Sequence, residues 1–134
     1  MSKKFSKQTL VSMTAAAIGV AMISMAAYAG AKSTKDGAFT AAQAERGKTV
    51  YDASCGNCHQ ADFYRERLTR FQDKPISQLF EVISTSMPAD NIGGLSNAEY
   101  RDVLAYIFSI TGSPAGSEEL TEENIESINV GPVQ

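Results

Sequence analysis

An all-α fold is the fold class that this sequence predicts. Three observations carry it. Apolar residues recur at helical spacing in Ile76–Leu79–Phe80–Ile83 and in Tyr100–Val103–Leu104–Ile107–Ile110. Two helix-start signals of the form Ser/Thr-x-x-Glu/Gln are present, at Thr40–Gln43 and Ser96–Glu99. No segment alternates apolar and polar residues as a half-buried strand does, and no internal repeat or phosphate-binding glycine loop is present.

Along the chain, Lys3, Lys4 and Lys7 make a basic start without acids, and an apolar, small-residue stretch follows from Leu10 to Ala27. Ala27-Tyr28-Ala29 then offers the small residues that a signal peptidase reads. Residues 1–29 are therefore expected to be a Sec-type signal peptide cleaved after Ala29. The competing reading is an uncleaved membrane anchor, diluted by Ser12, Thr14, Ser24 and several alanines. Cleavage places the mature chain in the periplasm. Residues 30–40 are small and polar without periodicity and are expected to be a flexible start.

A first helix is expected from Ala41 to about Ser54, with the Thr40 hydroxyl and the Gln43 amide serving its first donors. Gly47, Val50, Tyr51 and Cys58 share one helical face. Residues 60–74 set Phe63, Tyr64, Leu68 and Phe71 beside Arg65, Arg67 and Arg70. A second helix runs from Pro75, which suits a first helical turn, to Thr85. Asp90–Gly94 is rich in turn residues. The last and most regular helix opens at Ser96 and ends at Thr111-Gly112-Ser113-Pro114. The organised domain is thus residues 41–112. Residues 113–134 form an acidic extension with Glu118, Glu119, Glu122, Glu123 and Glu126, read as a solvated, partly disordered end. A short helix or a partner-steering patch are the alternatives.

The chemistry-bearing run is Cys55-Gly56-Asn57-Cys58-His59. C-x-x-C-H is the pattern that attaches haem covalently. Two thiols three positions apart on a turn can each bond one vinyl group of the same porphyrin, and the next imidazole lies under the iron as an axial ligand. The same run has two rival readings. A structural zinc site needs four ligands, usually from two separated pairs, and the sequence has two cysteines and one histidine. A thioredoxin-like dithiol sits where a strand enters a helix, and no strand pattern precedes Cys55.

The iron's sixth ligand is expected to be Met87. Beyond residue 29 the chain has one histidine, His59, and one methionine, Met87, and thioether sulfur is a common ligand in electron-transfer haems. Pro88 fixes the backbone beside it and favours an extended conformation at the methionine. The plain alternative is core packing of a flexible side chain. The aromatics of residues 60–74 suit a haem wall. The arginines there fit either propionate pairing or a solvated basic face.

These pieces together resemble class I cytochromes c. C-x-x-C-H lies near the domain start, Met87-Pro88 follows about thirty residues later, and the final helix holds Leu104-Ala105-Tyr106-Ile107. The resemblance covers residues 41–112. It implies a small cytochrome c fold, three to five helices wrapped around one covalent haem c, with Gly47 allowing the terminal helices to cross closely and Tyr51 and Tyr106 in its two aromatic positions. The glycine often found soon after the histidine is replaced here by Gln60-Ala61-Asp62. The family's imidazole-holding proline has no confident counterpart, since Pro75 stands rather far along. The C-terminal third, from Glu99-Tyr100 to Gly112-Ser113-Pro114-Ala115-Gly116 and Glu119-Leu120, is similar to cytochromes associated with quinoprotein dehydrogenases.

The expected function is a periplasmic monohaem single-electron carrier rather than an enzyme. Its redox partner proteins would be a quinoprotein dehydrogenase or respiratory donor, and a terminal oxidase or another cytochrome as acceptor. Removing residues 1–29 moves the formal charge from −3 to −6, which disfavours nucleic acid as a partner. Membrane contact is expected only if the leader stays uncleaved. The rival functions are a five-coordinate haem sensor in which Met87 does not bind, and a tightly held electron-transfer subunit of a dehydrogenase with the acidic tail as its arm.

Overall fold

The computed structural model describes residues 31–134; the expected signal peptide, residues 1–29, lies outside them. Four α-helices follow in order: α1 (Ala41–Ser54), α2 (Ala61–Leu68), α3 (Ile76–Ser86) and α4 (Asn97–Ile110). Short 3₁₀ turns stand at Thr34–Asp36 and Thr69–Phe71. Among the described residues there is no strand, only isolated backbone bridges. The all-α expectation holds.

The helices begin where side chains can meet their unpaired N–H groups. The Thr40 hydroxyl accepts from the Gln43 N–H at 3.0 Å. At α4 the Ser96 hydroxyl accepts from the Glu99 N–H at 3.3 Å, while the Glu99 carboxylate accepts from the Ser96 N–H at 2.8 Å, a complete capping box. The Ser96 N–H and the Ser96 hydroxyl, each donating to the Glu99 carboxylate at 2.8 Å, hold that carboxyl below its usual value. Gly112 closes α4 in the left-handed conformation (φ 89°) that glycine adopts without strain.

α1 and α4 form the main packed pair. Gly47 makes this possible, because a methyl group there would overlap the Asp102 carbonyl and stand 3.0 Å from the Val103 nitrogen. Tyr51 of α1 meets Tyr106 of α4 edge-on, ring centroids 4.9 Å apart. Val103, Leu104, Ala105, Ile107 and Phe108 give α4 its buried stripe, and Ile76 and Leu79 of α3 join the same core.

Three readings of the sequence are corrected here. The first concerns Gln43, which does not serve α1. Its buried amide donates to the Leu120 carbonyl (3.0 Å) and accepts from the Leu120 N–H (2.8 Å), pairing with the tail as a backbone would. The second is the flexible start. Ser33 and Asp36 form a capping box of their own, and Thr34, Ala38 and Phe39 are buried. The third is the solvated tail. Leu120, Ile125, Ile128 and Val130 are buried, while Glu118, Glu122, Glu123 and Glu126 stay exposed. Packing therefore continues beyond residues 41–112 at both ends.

The tail has a structural task at α3. The residue before that helix, Pro75, has no side-chain oxygen to serve its first donors. The Ile128 carbonyl accepts from the Ile76 N–H (2.9 Å) and the Ile125 carbonyl from the Ser77 N–H (3.2 Å) instead. Further along, Asn129 pairs with Lys32 and Thr34, and Val130 with Asp73 and Lys74, each bond at 2.9 Å. Arg46 of α1 clasps Asp102 (3.0 Å) and Glu119 (2.8 Å) together, which ties α4 and the tail to α1 and holds the Glu119 carboxyl below its usual value.

Candidate haem site

The C-x-x-C-H run begins where α1 ends. The Cys55 carbonyl accepts from both the Cys58 N–H (3.1 Å) and the His59 N–H (3.0 Å), so a single turn gathers both thiols and the imidazole. Neither cysteine is in a disulfide. Cys55 is half-buried and burial pushes its thiol upward, whereas Cys58 is exposed. The turn is held from α1, whose Tyr51 hydroxyl donates to the His59 carbonyl.

The His59 ring lies in an aromatic cluster. Phe63 stacks on it at 4.4 Å with planes 22° apart, and Tyr64 meets it edge-on at 5.9 Å. Tyr64 in turn contacts Tyr51 at 5.9 Å. Burial raises both phenols above their usual value, with the neighbouring phenol adding to the rise at Tyr64, so both stay neutral donors at physiological pH. The Pro75 carbonyl is engaged by the Gln78 N–H (3.1 Å) at the start of α3.

Met87 is supplied by a different element, the C-terminal end of α3. Its backbone is extended (φ −129°, ψ 158°), as Pro88 requires. Its N–H donates to the Ile83 carbonyl at 2.9 Å. Its carbonyl accepts from the Tyr100 hydroxyl at 2.6 Å and from the Gly93 N–H at 3.4 Å. The structure therefore brings Cys55, Cys58 and His59 onto one turn, and anchors both that turn and Met87 to the crossed pair α1 and α4.

The donor set fits a covalent haem. Two free thiols share a turn with an imidazole, and a thioether stands on a second anchored segment. Apolar cover is also to hand. Among the described residues the large hydrophobics left exposed are Phe63 (37 %), Val82 (49 %) and Ile92 (64 %): the first stacks on His59, the others flank Met87 in the chain. A zinc site is less well served, since the described residues hold no cluster of three or more Cys, His, Asp or Glu placed to grip an ion. The dithiol reading lacks its strand.

Two of the arginines near the turn meet carboxylates of α2, and Arg65 also donates to the Gln134 carbonyl at 3.2 Å. Arg65 pairs with Asp62 at 2.7 Å and Arg70 lies 3.7 Å from Glu66. Arg67 sits over the Phe63 ring, 5.1 Å from its centroid. Each of the three arginines thus has a partner of its own. The reading of the residues did not foresee the hydroxyls of Tyr51 and Tyr100. Both residues carried a signal as members of apolar helix faces, but neither hydroxyl's partner could be read from it.

Residues 42–107 match the family model described as "Cytochrome C oxidase, cbb3-type, subunit III". The match runs from α1 into α4 and includes the C-x-x-C-H run, Met87 and the helix crossing. No curated protein and no solved structure matches the chain. The four helices fit the small all-α fold of the cytochrome c domain that this match denotes.

Proposed function

We propose that this chain is a c-type cytochrome, with its haem domain over residues 42–107, that serves as an exported single-electron carrier. It holds one haem c through Cys55 and Cys58, with His59 and Met87 as axial ligands. The bound haem supplies reversible one-electron chemistry at iron. The residues supply the rest. Cys55 and Cys58 would hold the haem ring at the end of α1 through two thioether bonds. His59 is oriented by Phe63 and by the Tyr51 hydroxyl on its carbonyl. Met87 is offered from a segment hydrogen-bonded on both sides.

The observation that carries this reading is the anchoring of the two candidate ligands. The chain's one histidine and its one methionine beyond the leader both have main-chain carbonyls gripped by tyrosine hydroxyls from the crossed helices. With both side chains on the iron no open position would remain, which would favour electron transfer over gas binding or peroxidase chemistry. The carrier reading also gains from the tail. As an arm for a larger dehydrogenase the tail would have to leave its own domain, where Leu120, Ile125, Ile128 and Val130 are buried. The donor we propose is a quinoprotein or other periplasmic dehydrogenase, and the acceptor a terminal oxidase or another cytochrome. Contact is brief, as a carrier requires.

Met87→Ala tests the ligand assignment. The variant is expected to have a lower reduction potential and to bind added imidazole or carbon monoxide. Retention of the wild-type potential together with a low-spin spectrum would remove Met87 from the iron.

A further inference from the structure

The Met87 peptide takes three hydrogen bonds at the end of α3. Its N–H is used by α3 itself, donating to Ile83 at 2.9 Å. Its carbonyl receives the Tyr100 hydroxyl from α4 at 2.6 Å, the shorter of its two bonds. Tyr100 is itself fixed. It is buried in the first turns of α4, three residues after the helix start, and Phe80 of α3 meets its ring edge-on at 6.2 Å. A rigid donor from one helix thus closes on the end of another.

We propose that Tyr100 is a positioning residue for the sixth ligand: its hydroxyl fixes the Met87 main chain and so keeps the thioether sulfur on the iron against competing ligands. The inference rests on the assignment of Met87 as ligand. A thioether is a weak donor attached by a flexible side chain, so its occupancy depends on how narrowly the backbone is held. His59 has less need of such help, because two neighbouring thioether bonds tether its turn. An added ligand must displace the sulfur, so its apparent affinity rises by the factor by which sulfur binding weakens. Loss of one hydrogen bond corresponds to about a fivefold factor.

The test is imidazole titration of four ferric holoproteins: wild type, Tyr100→Phe, Met87→Ala and the double variant. Phenylalanine keeps the ring and its contact with Phe80. The expected result is about fivefold tighter imidazole binding in Tyr100→Phe than in wild type, with a weakened iron–sulfur absorption band. In the Met87→Ala background the same Tyr100 substitution is expected to change imidazole affinity less than twofold. Equal affinity in wild type and Tyr100→Phe, with the band intact in both, overturns the positioning role and leaves the ligand assignment standing. An equal effect in both backgrounds also overturns it, since the hydroxyl would then act on the fold rather than through Met87. So does failure of Tyr100→Phe to accumulate as holoprotein when Met87→Ala accumulates, because a positioning residue cannot matter more than the ligand it positions. A wild-type protein without the band refutes the ligand assignment itself.

Discussion

Replacing Gln43 by leucine tests whether the C-terminal tail is part of the fold. Leucine is close to glutamine in size, so the substitution leaves little cavity, but it removes both bonds to Leu120, at 3.0 and 2.8 Å. The Leu120 N–H and C=O would then be buried without partners, since Leu120 is 2 % exposed. Each orphaned group costs about 1–3 kcal/mol. The sum has a ceiling, because the tail can lift away near Leu120 instead. Lifting gives up the burial of one leucine, about 2 kcal/mol, and the half-exposed Arg46–Glu119 pair, about 0.5 kcal/mol. A destabilisation of about 2–3 kcal/mol is therefore expected, or roughly 10 °C in thermal midpoint for a unit of this size. Denaturant unfolding of the holoproteins measures the free energy, and hydrogen exchange at the Leu120 amide reports whether the tail has opened. The haem spectrum should not change. A loss below about 0.5 kcal/mol, with the Leu120 amide equally protected in both proteins, would refute the buried pairing.

Two further outcomes follow from the helix crossing and the tail clasp. Gly47→Ala would gain about 1 kcal/mol of helix propensity at an exposed site, but here its methyl meets the Asp102 backbone. Backbone cannot turn aside as a rotamer can, so a net loss of about 2 kcal/mol is expected in denaturant unfolding, and a stabilised variant would contradict the close crossing. The Glu119 carboxyl is lowered chiefly by its hydrogen bonds to Arg46. A lowered native value means that its contribution, at most ~1 kcal/mol for so exposed a pair, is complete above the unfolded carboxylate range and lost as pH falls through the native value. The stabilities of wild type and Glu119→Gln should accordingly differ at pH 6 and converge as acid titration passes below the ordinary carboxylate range and through the lowered native value; a gap unchanged throughout the acid titration would contradict the clasp.

What was legible in the sequence was local. Thr40 and Ser96 mark helix starts because a capping hydroxyl needs only the next three residues. The stripe from Tyr100 to Ile110 repeats at helical spacing whatever covers it. Gly47 and the pair Tyr51–Tyr106 were legible through the family resemblance, and their geometry agrees with it. The tail was not legible, because Leu120, Ile125, Ile128 and Val130 match neither helical nor strand spacing and are diluted by glutamates. Their partners are distant in the chain: Ile128 and Ile125 meet the Ile76 and Ser77 amides some fifty residues earlier, Val130 meets Asp73 and Lys74, and Leu120 meets Gln43. Gln43 shows the same competition: a local capping rule assigned its amide to α1, and a long-range partner took it. At the site, the identities of Cys55, Cys58, His59 and Met87 are a matter of motif and count. The way Tyr51 and Tyr100 grip the last two depends on how α1 and α4 are placed.

The central claim is that one haem is held by Cys55 and Cys58 with His59 and Met87 on its iron. It is tested most directly by absorption spectra of the exported, matured protein in both oxidation states, extended to the weak red band that reports iron–methionine bonding. The account predicts a low-spin c-type spectrum with that band present when oxidised and lost on reduction. A high-spin ferric spectrum without it would contradict the account, return Met87 to the role of a packing residue, and make ligand binding the leading function.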